Sequence, residues 1–319
     1  MITTVRLDNG WQSISTEDLP REFNKAEGTL WIDITGPDDA DVAIMRDVFG
    51  FHPLAIEDTR NQRQRPKLEE YAGYVFLILN PVQQNGFEAT FNELDVFLGS
   101  NFVVTVRNAD EPVIDEVRRR LERLGTFPEL TPGFLLYTLL DATVDTYFPL
   151  LDALEEEIEA LGNRVLAAPQ KESLNRLFQL KNTLIDMWRA VWPQREILSS
   201  LTHHTYPFID QNALRPYLRD VSDHLLWIAD MVTTFRDTLT GVIDLYMSAV
   251  SNRLNVVVNR LTVFTVLIGI LTVISGFYGM NFDDTWPPFG ASWGVPFVVG
   301  MMILITGTLL VIFRRLRWF

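Results

Sequence analysis

Apolar and polar positions alternate in short blocks up to about residue 125 and then settle into long helical spacing. LWIDI (30–34), GYVFLIL (73–79), ELDVFLG (93–99) and NFVVTVR (101–107) are rich in β-branched and aromatic residues and are bounded by Gly, Pro or Asn. That combination predicts strands. Between the first two, GPDDADVAIMRDVFG opens on Pro37, Asp38 and Asp39 and stops at Gly50, a helix start and stop. HPLAIED opens a second short helix. Strands interleaved with helices predict an α/β domain with a mixed sheet over residues 1–128.

From about Pro132 the period lengthens. Leu151, Leu154, Ile158, Leu161 and Val165 make a heptad-like seam. Asp152, Glu155, Glu156, Glu157 and Glu159 cover the other faces and read as a solvated helix surface. After AAPQ (167–170) another helix runs from Lys171 to near Trp192 and is expected to stop before Pro193, giving a helical hairpin over 129–207. No proline falls between Pro216 and Pro287, so one helix can run from Tyr217 to Met280. Its length would be roughly 95 Å. A helix that long is too large for a small domain to bury. It suggests a stalk (208–260) packed against copies of itself.

The last sixty residues change the picture from soluble to membrane-bound. Leu261 to Phe282 carries no charge, and neither does Thr285 to Phe313. LTVFTVLIGILTVISGFYGM (261–280) and VPFVVGMMILITGTLLVIF (295–313) each have about the length that crosses a hydrocarbon core. The connection NFDDTWPPFGASWG holds Pro287, Pro288, Gly290 and Gly294, which break helices, and Trp286 and Trp293, which suit a membrane interface. The expected layout is therefore transmembrane helix 1 over 261–282, an external loop over 283–294, transmembrane helix 2 over 295–313 and a basic tail over 314–319. Arg253 and Arg260 precede the first span and RRLRW follows the second, while the loop lacks Lys and Arg. The positive-inside rule then puts both termini in the cytoplasm and Asp283 and Asp284 outside.

Charge and composition narrow the function classes. The 319-residue chain has a net charge of −14 and a pI near 4.7, which argues against nucleic acid and favours cations. All but three of its 27 Lys and Arg, and all but two of its 41 Asp and Glu, precede residue 261. With no Cys there is neither a disulfide framework nor a thiolate metal site. The N-terminus has no apolar stretch of signal-peptide type. No phosphate-binding loop, Gly-x-Ser-x-Gly or helical metal-ligating His pair is present, so an enzyme is not expected, nor an organic cofactor. His203 and His204 are adjacent, without partner ligands, and read as surface residues.

Along the first span, Asn255, Asn259, Thr262, Thr265, Gly269, Thr272 and Gly276 follow one helical face. Small-residue helix packing explains such a stripe, and so does a water-lined conduction path. Two spans cannot enclose a pore, so conduction requires an oligomer.

YGMNF (278–282), placed between a first span and a Trp- and Pro-containing turn, resembles the signature of the CorA magnesium transporter family. HPLAIED with QRPKLEEY, LIDMWRAVWPQREILSSL, RPYLRDVSDH, TTFRDTLTGVIDLYMSAVSNRLN and the Trp-ending basic tail resemble CorA segments in the same order, over about 31–319. The resemblance implies a homopentameric funnel in a bacterial or archaeal inner membrane, conducting Mg²⁺, with Co²⁺ or Ni²⁺ as further ions. It implies an outer selectivity ring of Tyr278, Gly279, Met280 and Asn281. Below it Asn255, Val258, Leu261, Thr262, Thr265, Gly269, Thr272 and Gly276 would line the pore, while Asp283 and Asp284 gather cations outside. It also implies a regulatory Mg²⁺ site between subunits, with Asp220 as one ligand and Asp223 nearby. The acidic partner is expected in NPVQQNGFEATFNE, where Asn85, Glu88 and Glu93 stand, Glu88 being the candidate ligand. One departure concerns the gate. Gly269-Ile270 stands where the family commonly has Met-Pro, which moves a dewetting gate to Val258 and Leu261. The competing readings are a zinc transporter of the ZntB type and a membrane-anchored sensor or scaffold without transport.

Overall fold

The computed structural model describes the chain except residues 1, 8–11, 24, 26–27, 63, 86–87, 109, 125–129, 207–208, 281–285, 289–290, 317 and 319, and except the side chains at 85, 88, 124 and 211. The chain forms two compact units, Met1–Gly162 with Glu172–Gly241 and Asn163–Lys171 with Val242–Phe319.

The first unit begins with β1 (Ile2–Arg6), β2 (Gln12–Ile14), α1 (Leu19–Phe23), β3 (Leu30–Thr35), α2 (Asp39–Asp47) and α3 (Pro53–Arg60). It continues with β4 (Lys67–Tyr71), β5 (Tyr74–Leu79), β6 (Val82–Asn85), β7 (Glu88–Phe91), β8 (Leu94–Gly99) and β9 (Phe102–Arg107). The helices α4 (Pro112–Leu124), α5 (Pro132–Asp145), α6 (Tyr147–Ala167) and α7 (Lys171–His203) follow, then α8 (Gln211–Tyr278) and α9 (Gly294–Arg315).

Seven strands form one sheet in the order β2-β1-β3-β9-β8-β5-β4. β3 and β9 pair in parallel and the other neighbours antiparallel, so the sheet is mixed as expected. β6 and β7 make a separate hairpin. β5, β8 and β9 are buried at every position, which is why they read as near-continuous apolar runs. One face packs Met45, Phe49, Phe51, Ala55 and Ile56 from the α2–α3 region against Phe76, Phe97 and Val104. Phe51 stacks flat on Phe97 at 4.0 Å between ring centroids. On β8 and β9 lies α5 as well.

Local chemistry sets the helix starts. Asp38 caps α2 by accepting from the Asp41 N–H at 2.8 Å, and Asp41 returns the bond to the Asp38 N–H. Gly50 then takes φ of +67°, a conformation that L side chains rarely adopt. The α6 seam is as the spacing predicts: Leu151, Leu154, Ile158, Leu161 and Val165 are all buried, and the acidic residues beside them lie outward. Of these, Glu157 is held by both ends of the Arg176 guanidinium at 2.6 and 2.7 Å.

One expectation fails. The helix from Lys171 does not stop before Pro193 but continues to His203. Pro193 gives no N–H to the Arg189 carbonyl, a loss that normally breaks a helix. What carries the chain through is burial beyond the proline, at Gln194, Ile197, Leu198 and Leu201. Gln194 donates to the buried Tyr147 hydroxyl at 2.9 Å, and Tyr147 donates to the Asn80 carbonyl. Restoring the missing bond with Pro193→Ala should therefore stabilise the protein by about 1–2 kcal/mol, read as a higher Tm of the solubilised full chain.

Asp210 begins α8 by accepting from the N–H groups of Asn212 and Ala213 at 3.0 and 3.3 Å. The helix starts six residues earlier than the sequence suggested and takes Pro216 into its second turn. Its 68 residues make it about 100 Å long. In the second unit, α8 and α9 each hold an 18-residue window of mean hydropathy 2.1 and 2.5, and only 6 % of either window is buried. A core helix of a soluble protein would be mostly buried. These are two candidate transmembrane helices.

Candidate functional site

Along the apolar half of α8 the exposed and covered residues fall on opposite sides. Val263 is buried, and Val266, Leu267, Ile270, Leu271 and Ile274 are partly covered. Asn255, Val258, Leu261, Thr265, Gly269, Thr272 and Gly276 are exposed, and Thr262 partly so. At 3.6 residues per turn the second set lies roughly half a turn around from the first. The stripe of small and polar residues is therefore the face this chain leaves uncovered. The hydroxyls of Thr262, Thr265 and Thr272 donate back to the carbonyls of Val258, Leu261 and Ile268 at 2.8–2.9 Å. That satisfies each hydroxyl proton within the helix and leaves its lone pairs outward. A Cβ added at Gly269 or Gly276 would meet nothing within 4 Å, so both positions are open.

Past Tyr278 the helix closes on itself. The Gly279 N–H donates to Ser275 O at 2.9 Å, and the Met280 N–H donates to Phe277 O at 3.3 Å. A side chain at 279 would press on the Ser275 carbonyl at 3.1 Å, which accounts for glycine there. The Tyr278 hydroxyl donates to Trp286 O at 3.0 Å and so ties the helix end to the loop. Carbonyl ends of a helix carry partial negative charge, which favours cations at this end. Asn281, Asp283 and Asp284 lie outside the described residues.

Asp220 and Asp223 are exposed on α8. Glu88 belongs to β7, opposite Asn85, and both side chains lie outside the described residues. Neither aspartate joins a cluster of three possible ligands within this chain, among the described residues. His203 and His204 are exposed at the end of α7, where His203 Nδ1 meets Ser199 O at 2.8 Å, in keeping with surface residues.

Residues 26–315 match the family described as CorA-like Mg2+ transporter protein. Over 300 residues the chain is 39 % identical to the cobalt/magnesium transport protein CorA of Thermotoga maritima, covering 93 % of this chain and 85 % of that one. The chain belongs to the CorA family. It is 25 % identical to the CorA of Methanocaldococcus jannaschii over 291 residues, 91 % of each chain. The complete structure of the CorA magnesium transporter from that organism superposes with a TM-score of 0.87, at 22 % identity, over 100 % of this chain and 99 % of that one. Membership in CorA makes this a membrane transporter of the Mg²⁺/Co²⁺ class and not an enzyme.

Two features of this CorA chain were missed in the sequence because their residues come from separate elements. Asp141, Asp145 and His224 bring ligand atoms within 4.8 Å of one another. Arg120 already occupies the two carboxylates, at 2.6 and 2.7 Å, and reaches Glu116 at 2.9 Å. Burial, and then the Asp145 carboxylate, raise the Asp141 carboxyl above its ordinary range. A metal there would have to displace the guanidinium, so the cluster reads as an ion-pair clasp joining α4 and α5.

The second feature is a cavity of about 380 Å³ lined by Gln62, Asn80, Asn92, Glu93, Arg107 and Glu111 among others. Glu93 and Glu111 are buried at its wall, and Asp95 is fully buried beside Glu93. Burial raises the carboxyls of Glu93 and Glu111, and burial together with the Glu93 carboxylate holds Asp95 well above the usual range. Asp in an otherwise apolar strand, between Leu94 and Val96, was the available signal.

Proposed function

We propose that the chain is a channel-like transporter that passes hydrated divalent cations, Mg²⁺ foremost, down their electrochemical gradient. The pore is lined by the exposed face of α8, contributed by several copies of the chain arranged as a homopentamer. The observation that carries this reading is the uncovered stripe: small and polar residues on a lipid-grade helix, opposite its covered face. A lone hairpin anchor has no use for such a face. The name of the 39 % identical relative, a cobalt/magnesium transport protein, supports the choice of ion.

Mg²⁺ gives up its water reluctantly and usually keeps several molecules of it. Gly279, Met280 and Asn281 form the outer ring, where side-chain and backbone carbonyls accept hydrogen bonds from coordinated water. Carboxylates at the ring itself would hold the ion too tightly to let it leave. Asp283 and Asp284 act one step further out, raising the local cation concentration. Along the face, Val258 and Leu261 are bulky apolar side chains, 50 % and 65 % exposed, with Leu254 and Ile268 beside them, and Gly269 offers none. The narrow, dewetting part of the pore therefore sits at Val258 and Leu261. A divalent ion moving through 100 mV gains roughly 4.6 kcal/mol, enough to drive uptake without ATP. Asp220 and Asp223, exposed on α8, supply carboxylates to a regulatory Mg²⁺ held against a neighbouring copy, with Glu88 as the facing ligand. The protein sits in the inner membrane with both termini cytoplasmic.

Flux into proteoliposomes with an inside-negative potential tests the reading. Mg²⁺ should enter at least about tenfold faster than Zn²⁺, a difference of about 1.4 kcal/mol in barrier. Faster Zn²⁺ entry would transfer the chain to the ZntB type, and no flux of either ion would leave a scaffold.

A further inference from the structure

The cavity in the α/β unit has a chemistry that transport does not use. Its wall is rich in acceptors that lack donors. Among the described residues no hydrogen-bond donor reaches Glu111 Oε1 or Asn80 Oδ1, and Glu93 and the Asp95 carboxyl behind the wall have only each other, sharing a hydrogen bond between two buried acids. Glu93 is 8 % exposed, Glu111 4 % and Asn80 8 %. Each is anchored through its other polar atom. Glu93 Oε2 accepts from the Gln64 N–H at 2.7 Å, Glu111 Oε2 accepts from Asn92 Nδ2 at 2.8 Å, and Asn80 Nδ2 donates to Asn92 O at 3.0 Å. The anchors fix the side chains, leave Glu111 Oε1 and Asn80 Oδ1 without a protein donor, and leave Glu93 facing only another buried acid. Among the described residues that line the cavity the one cation is Arg107, which Asp33 holds at 2.9 Å and Asp110 at 3.4 Å.

Buried polar atoms in folded proteins almost always have partners, so an unpartnered set converging on one space points to something that fills it. Hard oxygens, two of them on carboxylates, select a hard cation and exclude an anion. The ligand oxygens of Glu93, Asp95 and Glu111 do not all lie within 4.8 Å of one another, as the ligand atoms of Asp141, Asp145 and His224 do. A bare ion would therefore find too few direct ligands. A hydrated one fits: six waters occupy about 180 Å³ at roughly 30 Å³ each, within the cavity's volume. Gln62 Nε2, a buried donor without an acceptor, adds a contact for one of those waters.

We propose that this cavity is a binding site for a hydrated divalent cation, held within a single subunit by Glu93, Glu111 and Asn80 and separate from the pore. Hydrogen–deuterium exchange of the full chain in detergent tests it, with Mg²⁺ as the probe and NaCl of equal ionic strength as the control. Peptides containing Gln64, Asn92 and Glu111 should exchange about tenfold more slowly once Mg²⁺ reaches about ten times its Kd. Glu93→Gln/Glu111→Gln should abolish the slowing, and the same variant should melt higher than wild type in Mg²⁺-free buffer, because two buried unpaired carboxylates are gone. Asn281→Ala should keep the slowing. No slowing in the wild type, equal slowing by Na⁺, retention in the double variant, or loss in Asn281→Ala would each overturn the site. Should the double variant not fold, Glu111→Gln alone, which can still accept from Asn92, is read the same way and should lose part of the protection.

Discussion

Asn281→Ala will fail to rescue growth of a bacterium deficient in magnesium uptake, under conditions where the wild-type chain restores it. The residue follows Met280 directly, and the backbone of Gly279 and Met280 is pinned to the last turn of α8. In the proposed ring each Asn281 amide oxygen accepts a hydrogen bond from water polarised by the ion. Bonds of that charge-assisted kind are each worth about 1.5–3 kcal/mol, so a net loss of only one or two of them around the ring, after water replaces the rest, should cut uptake on the order of 100-fold. Alanine introduces no bulk, and the protein should reach the membrane in normal amount, which immunoblotting checks. Asn281→Asp is the informative companion: it keeps the oxygens, adds charge and should slow release of the ion rather than weaken its capture. Rescue by Asn281→Ala at wild-type level would remove the ring from the mechanism.

The second large effect concerns folding. Asp33→Ala should lower stability by about 3 kcal/mol, because it removes the shortest carboxylate contact of a buried guanidinium and leaves the longer one to Asp110 at 3.4 Å. Asp33 on β3 stands opposite Thr105 on the parallel strand β9, and Arg107 lies two residues further along β9; the side chains of Asp33 and Arg107 are 5 % and 10 % exposed. Arg107 Nη2 donates to Asp33 Oδ2 at 2.9 Å, and the Thr105 hydroxyl donates to Asp33 Oδ1 at 2.8 Å. Burial works against the guanidinium's charge, but Asp33 more than offsets it and holds the Arg107 proton more firmly than usual. Thermal unfolding of the full chain should shift down by about 10 °C. Asp33→Ala/Arg107→Met should recover most of that loss, since the cost lies in a buried charge deprived of its main partner rather than in the pair. A shift under about 2 °C for Asp33→Ala would show that water reaches Arg107.

How far the sequence revealed this depends on where each element sits. β5, β8 and β9 were legible because both of their faces are buried, leaving only apolar residues to read. β4 (KLEEY) was not, for the opposite reason: it is an edge strand, largely polar, and charge along an edge hides the strand while protecting it from false pairing. β6 and β7 escaped in the same way, as VQQN and EATF carry too little apolar signal. Pro193 misled because local propensity was outweighed by tertiary burial at Gln194 and Ile197. The two candidate transmembrane helices were readable, since long uncharged apolar runs of that kind have a composition no loop shares. The Arg120 clasp and the acidic cavity were not, because only folding brings their residues together.

The threonines of α8 have one more consequence. Their protons are committed to Val258, Leu261 and Ile268, so the uncovered face shows only acceptor lone pairs at those three positions. A wall of that kind discriminates by sign without carrying any charge. Chloride passing along it meets no hydroxyl donor at Thr262, Thr265 or Thr272, while water around a cation always does find an acceptor. In the proposed pore these three threonines thus favour cations over anions through the helix's own hydrogen bonding.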